Sequence, residues 1–403
     1  MRSTSCDCIA RDVLERCIAG APPAELPREL LEEPCAQALF GVLVEGLADR
    51  FEPALCDAYV HLFSQAVAHV EGADAAALIG HYQRVRRTRP IAGTPRCVFV
   101  LSRVTLGADV AVTSVMLAAA KERFPEARIF FVGPRKNHEL FASDPRVHHA
   151  PVAYRRGSLR DRLAVWGELT ALFDAPDSVV IDPDSRLTQL GLLPVCGEER
   201  HHLFESRSYG GATGQPLPEL AAAWAAETLG VAGARPYVAL ENVHQPEPYI
   251  AVSLGVGENP SKRLPDPFEE ELLRLLAATG LLLRIDKGAG GEEAERVMRA
   301  VERAGATAEY WDGSFAGFAG IIAGSRLYVG YDSAGQHIAA ACGVPLVSIF
   351  AGFPVPRMFD RWRPTGGHCH VIRVDRPDVP GTLRRVAEAL AGGLDQRPSC
   401  SKR

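Results

Sequence analysis

The stretch at residues 329–352 constrains the fold more than any other part of the chain. It reads VGYDSAGQHIAAACGVPLVSIFAG, which is an apolar run, a turn-like DSAG, an uncharged helix former, a glycine and a second apolar run. Gly343 is a typical helix stop, and residues 344–350 are typical of a buried strand. Parallel strands need a crossover connection between them, and a helix usually supplies it. The stretch therefore predicts an α/β fold with a parallel sheet.

The turn in this stretch follows the carboxyl end of a predicted strand. Open α/β sheets bind ligands at that edge, and a helix that begins there offers free N–H groups and a positive dipole end to phosphate. A simpler interpretation is also open. Asp332 and Ser333 would then only cap the helix, and His337 would be a buried structural histidine. The stretch alone does not decide between the two.

The same alternation of strand and helix occurs elsewhere in the chain. A buried run, CVFVLSRV, begins at Cys97 and is followed by a helical segment and then by the strand RIFFVGP. A second series begins at Tyr249 and continues through the strand LLLRID. Pro236 and the segment NVHQPEPY at 242–249 separate the two series. We therefore predict two doubly wound α/β domains.

Residues 1 to about 90 have a different pattern, with apolar residues at helical spacing. This region ends in RVRRTRP at 84–90, where four arginines could meet an acidic lipid or a phosphorylated acceptor, or could form a solvated helix end. The predicted parts are a helical region at 1–92, an α/β domain at 93–240 and a second α/β domain at 241–403.

Composition excludes several classes of protein. The chain has 403 residues with 47% hydrophobic and 23% charged residues, which is ordinary for a globular protein of two or three domains. A net charge of −5 gives no case for a nucleic-acid partner. The ten cysteines are scattered, and Cys6 and Cys8 lack a second pair at zinc spacing, so we expect reduced thiols. No signal peptide or membrane span is predicted, which favours a cytoplasmic protein.

Three motifs carry a family resemblance. DSAGQHIAAACGVP at 332–345 is similar to D-[ST]-G-x-x-H-L-A-A-A-L-G-V-P, with Ala334 at the expected glycine and Gly335 after it. Gly107 to Asp109 resembles an earlier G-D motif with one extra residue, and KERFP at 121–125 follows as in that motif. KRLP at 262–265 is similar to K-R/H-W-P. Over residues 96 to about 375 the chain resembles glycosyltransferase family 9, the ADP-heptose:lipopolysaccharide heptosyltransferase family.

The resemblance implies the GT-B fold, with two Rossmann-like domains facing each other across a cleft. The first would bind the acceptor and the second the nucleotide-sugar donor, and the helical region lies outside the resemblance. Family members invert the anomeric carbon and need no divalent metal or other cofactor. The implied reaction moves a sugar, heptose in the family, from an ADP-linked donor to lipopolysaccharide or another glycan. A peripheral contact with the inner membrane face is a further expectation.

The resemblance also implies roles for individual residues. Asp109 would be the catalytic base, placed in the loop after the first strand, although it could instead cap the following helix. Lys262 would hold the donor diphosphate with help from Arg263, although it could be a surface lysine. His337 would donate to a phosphate or sugar oxygen, and a nearby dianion would favour its protonated form. The residues predicted to bind the donor are Gly257, Lys262, Arg263, Asp332, Ser333, Ala334, Gly335, Gln336 and His337.

Acceptor binding is predicted at polar positions of the first α/β domain. Asp184 and Arg186 follow a predicted strand, and Arg207 lies in the glycine-bearing loop ESRSYGG. Together with Arg103 they could bind an anionic acceptor. Asp182-Pro183-Asp184 is also a D-x-D pair, which holds a metal in glycosyltransferases of another fold, but its place in the acceptor domain disfavours that interpretation.

Two other functions stay open. The same chemistry on a protein side chain is one, although the late cysteines are isolated and relatives of that kind hold iron through a cysteine cluster. A catalytically inactive GT-B protein that binds nucleotide is the other, because the spacing departs from the family pattern at Gly107–Asp109 and at Ala334–Gly335. A nucleotide-sugar epimerase fits the motifs less well.

Overall fold

The apolar runs form two all-parallel β-sheets, each in its own compact unit of the chain. The computed structural model describes residues 2–243, 248–257, 259–288 and 290–393. Unit 1 comprises residues 1–105, 115–138 and 145–234, and unit 2 comprises residues 106–114, 139–144 and 235–403. Part of the predicted linker at 242–249 lies outside the described residues.

The strands, in chain order, are β1 Cys97–Leu101, β2 Arg128–Gly133, β3 Val147–Pro151, β4 Ser178–Asp182, β5 His201–Leu203, β6 Tyr249–Ser253, β7 Leu282–Asp286, β8 Ala308–Trp311, β9 Leu327–Tyr331, β10 Leu346–Phe350 and β11 Cys369–Arg373. The sheet of unit 1 has the order β3-β2-β1-β4-β5, and that of unit 2 has the order β11-β10-β9-β6-β7-β8. Because every pairing is parallel, each crossover passes through other structure, and the predicted α/β class is confirmed.

The α-helices are α1 Arg2–Ile18, α2 Glu45–Ala48, α3 Pro53–Glu71, α4 Ala75–Val85, α5 Leu106–Ala108, α6 Ser114–Arg123, α7 Arg135–His138, α8 Leu159–Leu163, α9 Val165–Leu172, α10 Leu217–Leu229, α11 Phe268–Ala277, α12 Gly291–Ala304, α13 Phe315–Gly324, α14 Ala334–Ala341, α15 Pro356–Trp362 and α16 Val379–Gly393. In the described ranges, 3₁₀ turns lie at Arg28–Leu31, Glu33–Cys35, Glu139–Phe141, Arg186–Thr188 and Pro260–Lys262, and π-helical turns lie at Ala38–Val44 and Asp109–Thr113.

Each sheet has a point where the chain reverses its direction of winding. In unit 1 it lies between β1 and β4, and in unit 2 it lies between β6 and β9. Adjacent crossovers leave on opposite faces at such a point, so a crevice opens at the carboxyl ends of the two strands. The turn after β9 that dominates the sequence lies at one of these two positions.

The N-terminal helical region is confirmed and shares its hydrophobic core with the first sheet. Leu47, Phe63 and Val85 from the helices belong to the same buried cluster as Phe99 of β1 and Leu203 of β5. Since one continuous apolar core holds both, the helices are an integral part of unit 1 rather than a separately packed module.

The expectation that all cysteines are reduced is wrong for one pair. Cys6 of α1 and Cys35 of a 3₁₀ turn form a disulfide, with their Cα atoms 5.4 Å apart. The apolar pattern of α1 buries Cys6, and the fold of the helical region brings Cys35 against it. Sequence spacing gave no signal, because 29 positions separate the two residues and Cys6 forms its only sequence pair with Cys8.

Most of the arginine cluster at 84–90 has partners inside unit 1. Arg84 forms a two-point contact with Glu198, at 2.5 and 2.7 Å. Arg86 pairs with buried Glu205, and Arg89 donates to the backbone carbonyl of Glu198. Three of the four guanidinium groups therefore fasten α4 and the segment after it to unit 1.

Among the described residues, no helix is long and apolar enough to cross a membrane.

Candidate functional site

The candidate site in unit 2 is built around the turn after β9. All five residues of β9 are buried, and the chain then passes through Asp332 and Ser333 into α14. Gly335 is required here, because a Cβ atom at this position would collide with the hydroxyl of Tyr328. Ser333 occupies the N-cap position but makes no side-chain cap hydrogen bond, and its hydroxyl lies 3.3 Å from that of Tyr328. The first-turn N–H groups of α14 are thus not capped by Ser333, contrary to the capping interpretation.

Lys262 and Asp332 are brought together at this turn. The Lys262 Nζ lies 2.8 Å from Asp332 Oδ2 and also donates to the Asp332 carbonyl at 3.2 Å. Asp332 is buried, whereas 20% of the Lys262 side chain is exposed. Within the described residues, these two contacts leave a third N–H of the ammonium for a ligand, since the group has three donors.

Gln336 holds the other side of the Asp332 carboxylate. Its side chain is fully buried, and Nε2 donates to Asp332 Oδ1. Its Oε1 accepts from the hydroxyl of Ser348 on β10 at 2.5 Å. The amide is therefore used inside the protein, and in this structure Gln336 orients Asp332. Its predicted contact with the donor stays a prediction.

His337 is buried and uncharged at neutral pH. Burial lowers the pKa of the imidazole to about 4, with Asp332 raising it and Lys262 lowering it to a lesser degree. The ring meets the ring of Trp362 at an angle of 66°, with centroids 6.1 Å apart. Protonation of His337 is expected beside a bound dianion, and this expectation stays a prediction.

Asp109 lies in neither a loop nor a cap. Helix α5 begins at Leu106, and Asp109 opens the π-helical turn that continues into α6. Its carboxylate is fully buried and accepts from the Thr113 hydroxyl at 2.7 Å. Residues 106–114 group with unit 2, and a Cβ on Gly107 would lie 3.1 Å from the Ala334 Cα and 3.2 Å from the His337 ring. The glycine therefore lets the Asp109 turn approach the start of α14.

Arg263 and Gly257 lie on the two segments that flank Lys262. The Arg263 Nε donates to Glu269 at 3.0 Å, and its terminal nitrogen pairs with Asp266. Gly257 has a φ of +60°, a conformation that favours glycine, in the loop after β6. Neither arrangement tests the predicted donor role, which stays a prediction for both.

Sequence reasoning missed the carboxylate of Glu293. Its Oε2 lies 3.4 Å from the Val256 N–H, and a Cβ on Gly288 would collide with the same carboxylate. The side chain thus lies between the loops that follow β6 and β7. The sequence held no signal for it, because Glu293 is one of several acids in the first turns of an ordinary amphipathic helix.

In unit 1, three of the predicted acceptor residues form one network. Arg207 donates to Asp184 at 3.0 and 3.1 Å, and both side chains are buried. Burial alone would raise the pKa of Asp184, but Arg207 and Arg103 hold it below its usual value. Arg103 donates to the Ser206 hydroxyl at 2.8 Å, and Ser206 in turn donates to Asp184. Each of these side chains has a protein partner, and their acceptor role stays a prediction.

Arg186 differs from these three residues. It is half-buried in a 3₁₀ turn, where Ser185 caps the backbone through a hydrogen bond from Leu187 N. Asp182 of the same D-x-D accepts from Ser185 N at 2.7 Å and from the Thr188 hydroxyl. Both carboxylates of the D-x-D are thus engaged by protein donors. Within the described ranges, no group of three or more His, Cys, Asp or Glu could hold a metal ion.

Comparison with known proteins relates this architecture to one family. Residues 199–382 match the model of "Glycosyltransferase family 9 (heptosyltransferase)". Among solved structures, Escherichia coli heptosyltransferase WaaC with ADP is 19% identical with a TM-score of 0.58, covering 74% of this chain and 99% of that one. A glycosyltransferase family 9 protein from Veillonella parvula is 14% identical with a TM-score of 0.58, covering 76% and 99%. E. coli ADP-heptose lps heptosyltransferase II is 20% identical with a TM-score of 0.53, covering 74% and 98%.

No curated protein matches the chain by sequence. At these identities the solved structures establish the fold, and the similarity to the family model extends over residues 199–382. That match includes Lys262, the turn after β9 and α14, whereas Gly107 and Asp109 lie outside it.

Proposed function

We propose that the protein is a glycosyltransferase of the family 9, heptosyltransferase-like type, and that it transfers heptose from an ADP-linked donor to lipopolysaccharide or another glycan. The proposed reaction inverts the anomeric carbon and uses no divalent metal. Two E. coli WaaC structures contain ADP and ADP-2-deoxy-2-fluoro heptose, which supports the choice of nucleotide and sugar.

One observation carries the proposal. Lys262 is held by Asp332 at the N-terminus of α14, where Ser333 provides no side-chain cap and β9 adjoins the winding reversal of the sheet. A cation and a helix N-terminus at one point form a suitable environment for a diphosphate. The same groups would stabilise the charge that grows on the leaving diphosphate during transfer. The Asp332 carboxylate orients Lys262, and Gln336 keeps that carboxylate in place.

The proposed chemistry is a single displacement. The acceptor oxygen attacks the anomeric carbon, its proton passes to the Asp109 carboxylate, and the electron pair of the breaking C–O bond goes to the nucleoside diphosphate. Inversion follows because only one displacement occurs. Asp109 is fully buried here, so the proposal requires the α5 turn to move before an acceptor hydroxyl reaches the carboxylate.

Donor binding is tested by calorimetric titration with ADP, UDP, GDP and dTDP, with and without EDTA. We expect selective ADP binding that survives EDTA and that weakens roughly 30-fold or more in Lys262→Ala, as for the loss of a charged hydrogen bond. Lys136→Ala, at an exposed position of α7, is the matched control and should bind ADP normally. Preference for another nucleotide would exclude ADP-heptose as the donor, and loss of binding in EDTA would exclude metal independence.

The catalytic role of Asp109 is tested by Asp109→Asn with ADP-heptose and lipopolysaccharide core acceptors. We expect ADP affinity to be retained and turnover to fall by roughly 10²–10⁴-fold, the usual contribution of a general base. Thr113→Val, which removes only the hydrogen bond to Asp109, should affect turnover far less. If Asp109→Asn turns over within a factor of three of the wild type, Asp109 is not the base.

The complete burial of Asp109 favours one second candidate, a GT-B protein that binds ADP-sugar without transferring it. This alternative predicts ADP binding equal to that of the proposed enzyme. It also predicts neither transfer nor slow donor hydrolysis, with no difference between the wild type and Asp109→Asn.

A further inference from the structure

A pocket in unit 2 shares Arg263 with the predicted donor-binding residues and is otherwise lined by residues outside the candidate donor site. It has a volume of about 220 Å³ and lies between the start of α11 and one face of α12. Its lining residues are Arg263, Asp266, Glu269, Glu270, Arg296, Arg299, Ala300 and Arg303. We propose that this pocket binds inorganic phosphate as the hydrogen phosphate ion.

The net charge of the residues that line the pocket favours the binding of an anion. Four guanidinium groups face three carboxylates, which leaves a net charge of +1. Arg296, Arg299 and Arg303 repeat at helical spacing, so α12 directs all three towards the pocket. Guanidinium forks match the spacing of phosphate oxygens and bind them through paired hydrogen bonds.

Two of the arginines are exposed enough to contact a ligand in the pocket. The side chains of Arg299 and Arg303 are 55% and 63% exposed. Arg299 pairs with exposed Glu295 at 3.3 Å, and Arg303 pairs with Glu270 at 2.9 Å. The Arg299–Glu295 pair is solvent-exposed on both sides and contributes little stability, so exchanging Glu295 for a phosphate oxygen costs little, whereas the Glu270 side chain is only 17% exposed.

The floor of the pocket determines which anion fits. Glu269 is buried, and its Oε1 accepts from Arg263, Arg296 and the Tyr331 hydroxyl. Its Oε2 is also buried and has no hydrogen-bond partner within the described part of the chain. Buried polar atoms are nearly always paired, so an occupant that brings an O–H donor would complete the site. Hydrogen phosphate carries such a donor at neutral pH, whereas sulfate does not.

The size of the pocket agrees with a small ion. At roughly 30 Å³ for each water molecule, the volume accommodates about seven waters, or one phosphate with a few waters. Pockets for drug-sized ligands have volumes of about 300–1,000 Å³, so a nucleotide sugar would not fit. This pocket is therefore a candidate phosphate site distinct from the donor site.

The test is a calorimetric titration of the full chain with inorganic phosphate at pH 7 and low ionic strength, with sulfate as the second probe. We expect phosphate to bind at millimolar concentration or below, and sulfate to bind at least tenfold more weakly. Arg299→Ala/Arg303→Ala should weaken phosphate binding at least tenfold, and Arg299→Lys/Arg303→Lys should weaken it less. Arg384→Ala, an exposed arginine on α16, is the matched control and should change nothing.

Lys262→Ala separates this pocket from the donor site, and Arg263 is left intact because it adjoins Lys262. Phosphate binding that persists in Lys262→Ala and is lost in Arg299→Ala/Arg303→Ala supports the proposal, whatever the outcome for ADP. The proposal is overturned by the absence of binding at 50 mM phosphate, by equal affinity for sulfate, or by dependence on Lys262 alone.

Discussion

The carboxyl ends of the two sheets carry similar residues in different states. In unit 1, Asp184 after β4 is paired with Arg207, and both side chains are buried. In unit 2, Asp332 after β9 is paired with Lys262, which remains partly exposed. Both pairs lie at the position where open α/β sheets bind ligands. The two acids therefore occupy equivalent positions in their sheets, and the partners around each one determine whether it can take part in binding a ligand.

In unit 1, the N-terminal helices enclose the Asp184–Arg207 pair. Tyr82 of α4 lies within 3.5 Å of the Arg207 guanidinium, and the Tyr59 ring of α3 lies under it, with its centroid at 5.2 Å. Arg207 also donates to the Leu190 carbonyl. The added helices thus enclose the ion pair and satisfy its donors. Within the described part of the chain, 20% of the Lys262 side chain stays exposed. Removing one partner of a buried pair such as Asp184–Arg207 would leave the other charge buried and unpaired, which is strongly destabilising.

Arg207→Met tests the structural role of the buried pair and should have the largest effect. Removing the guanidinium leaves Asp184 buried without its counter-charge, which typically costs about 3–5 kcal/mol of unfolding free energy. The measurement is urea unfolding followed by circular dichroism. Asp184→Leu/Arg207→Met is the control and should lose less than the single variant, because no unpaired charge remains. If the double variant loses as much as the single one, the pair is not what holds the two loops.

Reduction of the Cys6–Cys35 disulfide tests how far the stability of the N-terminal helices of unit 1 depends on a covalent link. The bond closes a loop across a separation of 29 residues, and such a loop is expected to stabilise the fold by about 3 kcal/mol through the unfolded state. Urea unfolding with and without dithiothreitol measures it. Cys6→Ala/Cys35→Ala should match the reduced protein and should not respond to the reductant. An unchanged midpoint on reduction would show that packing alone holds α1.

Much of this contrast could be predicted from the sequence, but not all of it. The continuous apolar runs and the helical spacing of apolar residues predicted both parallel sheets and the helical region, because those patterns reflect local burial. The motif at 332–345 located the turn after β9. The state of each charge was not predictable. Whether Asp184 is free or enclosed depends on Arg207, Tyr59 and Tyr82, which meet only through the tertiary fold.

Local structure at Asp109 was also beyond sequence reasoning. A glycine and an acid after a strand favour a loop or a cap, and the extra residue between Gly107 and Asp109 gave no sign of a helix. In the structure, the chain enters a helix at Leu106, and a π-helical turn follows from Asp109 to Thr113. Such turns accommodate an extra residue within a helix, and their position depends on packing rather than on propensity. Here that packing includes the approach of Gly107 to α14.

Gln336→Leu tests whether Asp332 must be held in place for Lys262 to bind the donor. Without the amide, the Asp332 carboxylate loses a buried donor and should hold Lys262 less firmly, with ADP affinity falling about tenfold, or about 1.4 kcal/mol. Calorimetric titration with ADP measures the change. Ser348→Ala removes only the bond to the far side of the Gln336 amide and should weaken ADP binding less. Equal affinity for ADP in Gln336→Leu and the wild type would show that Lys262 needs no positioning.

His337 offers the smallest and most specific test. Burial holds its pKa at about 4, so the imidazole is neutral in the free protein at pH 6. A diphosphate beside it would raise that pKa, so ADP binding at pH 6 should take up a fraction of a proton and should strengthen as pH falls from 7 towards 5. The sign follows because the bound state holds more protons than the free state. We expect a change in affinity of less than about tenfold, or about 1.4 kcal/mol, over this range. Titration in two buffers of different ionisation enthalpy measures the uptake, and the difference between the wild type and His337→Gln removes the contribution of ADP itself. Identical uptake in both proteins would assign His337 to the core, and it would leave Lys262 and the start of α14 as the groups that meet the phosphates.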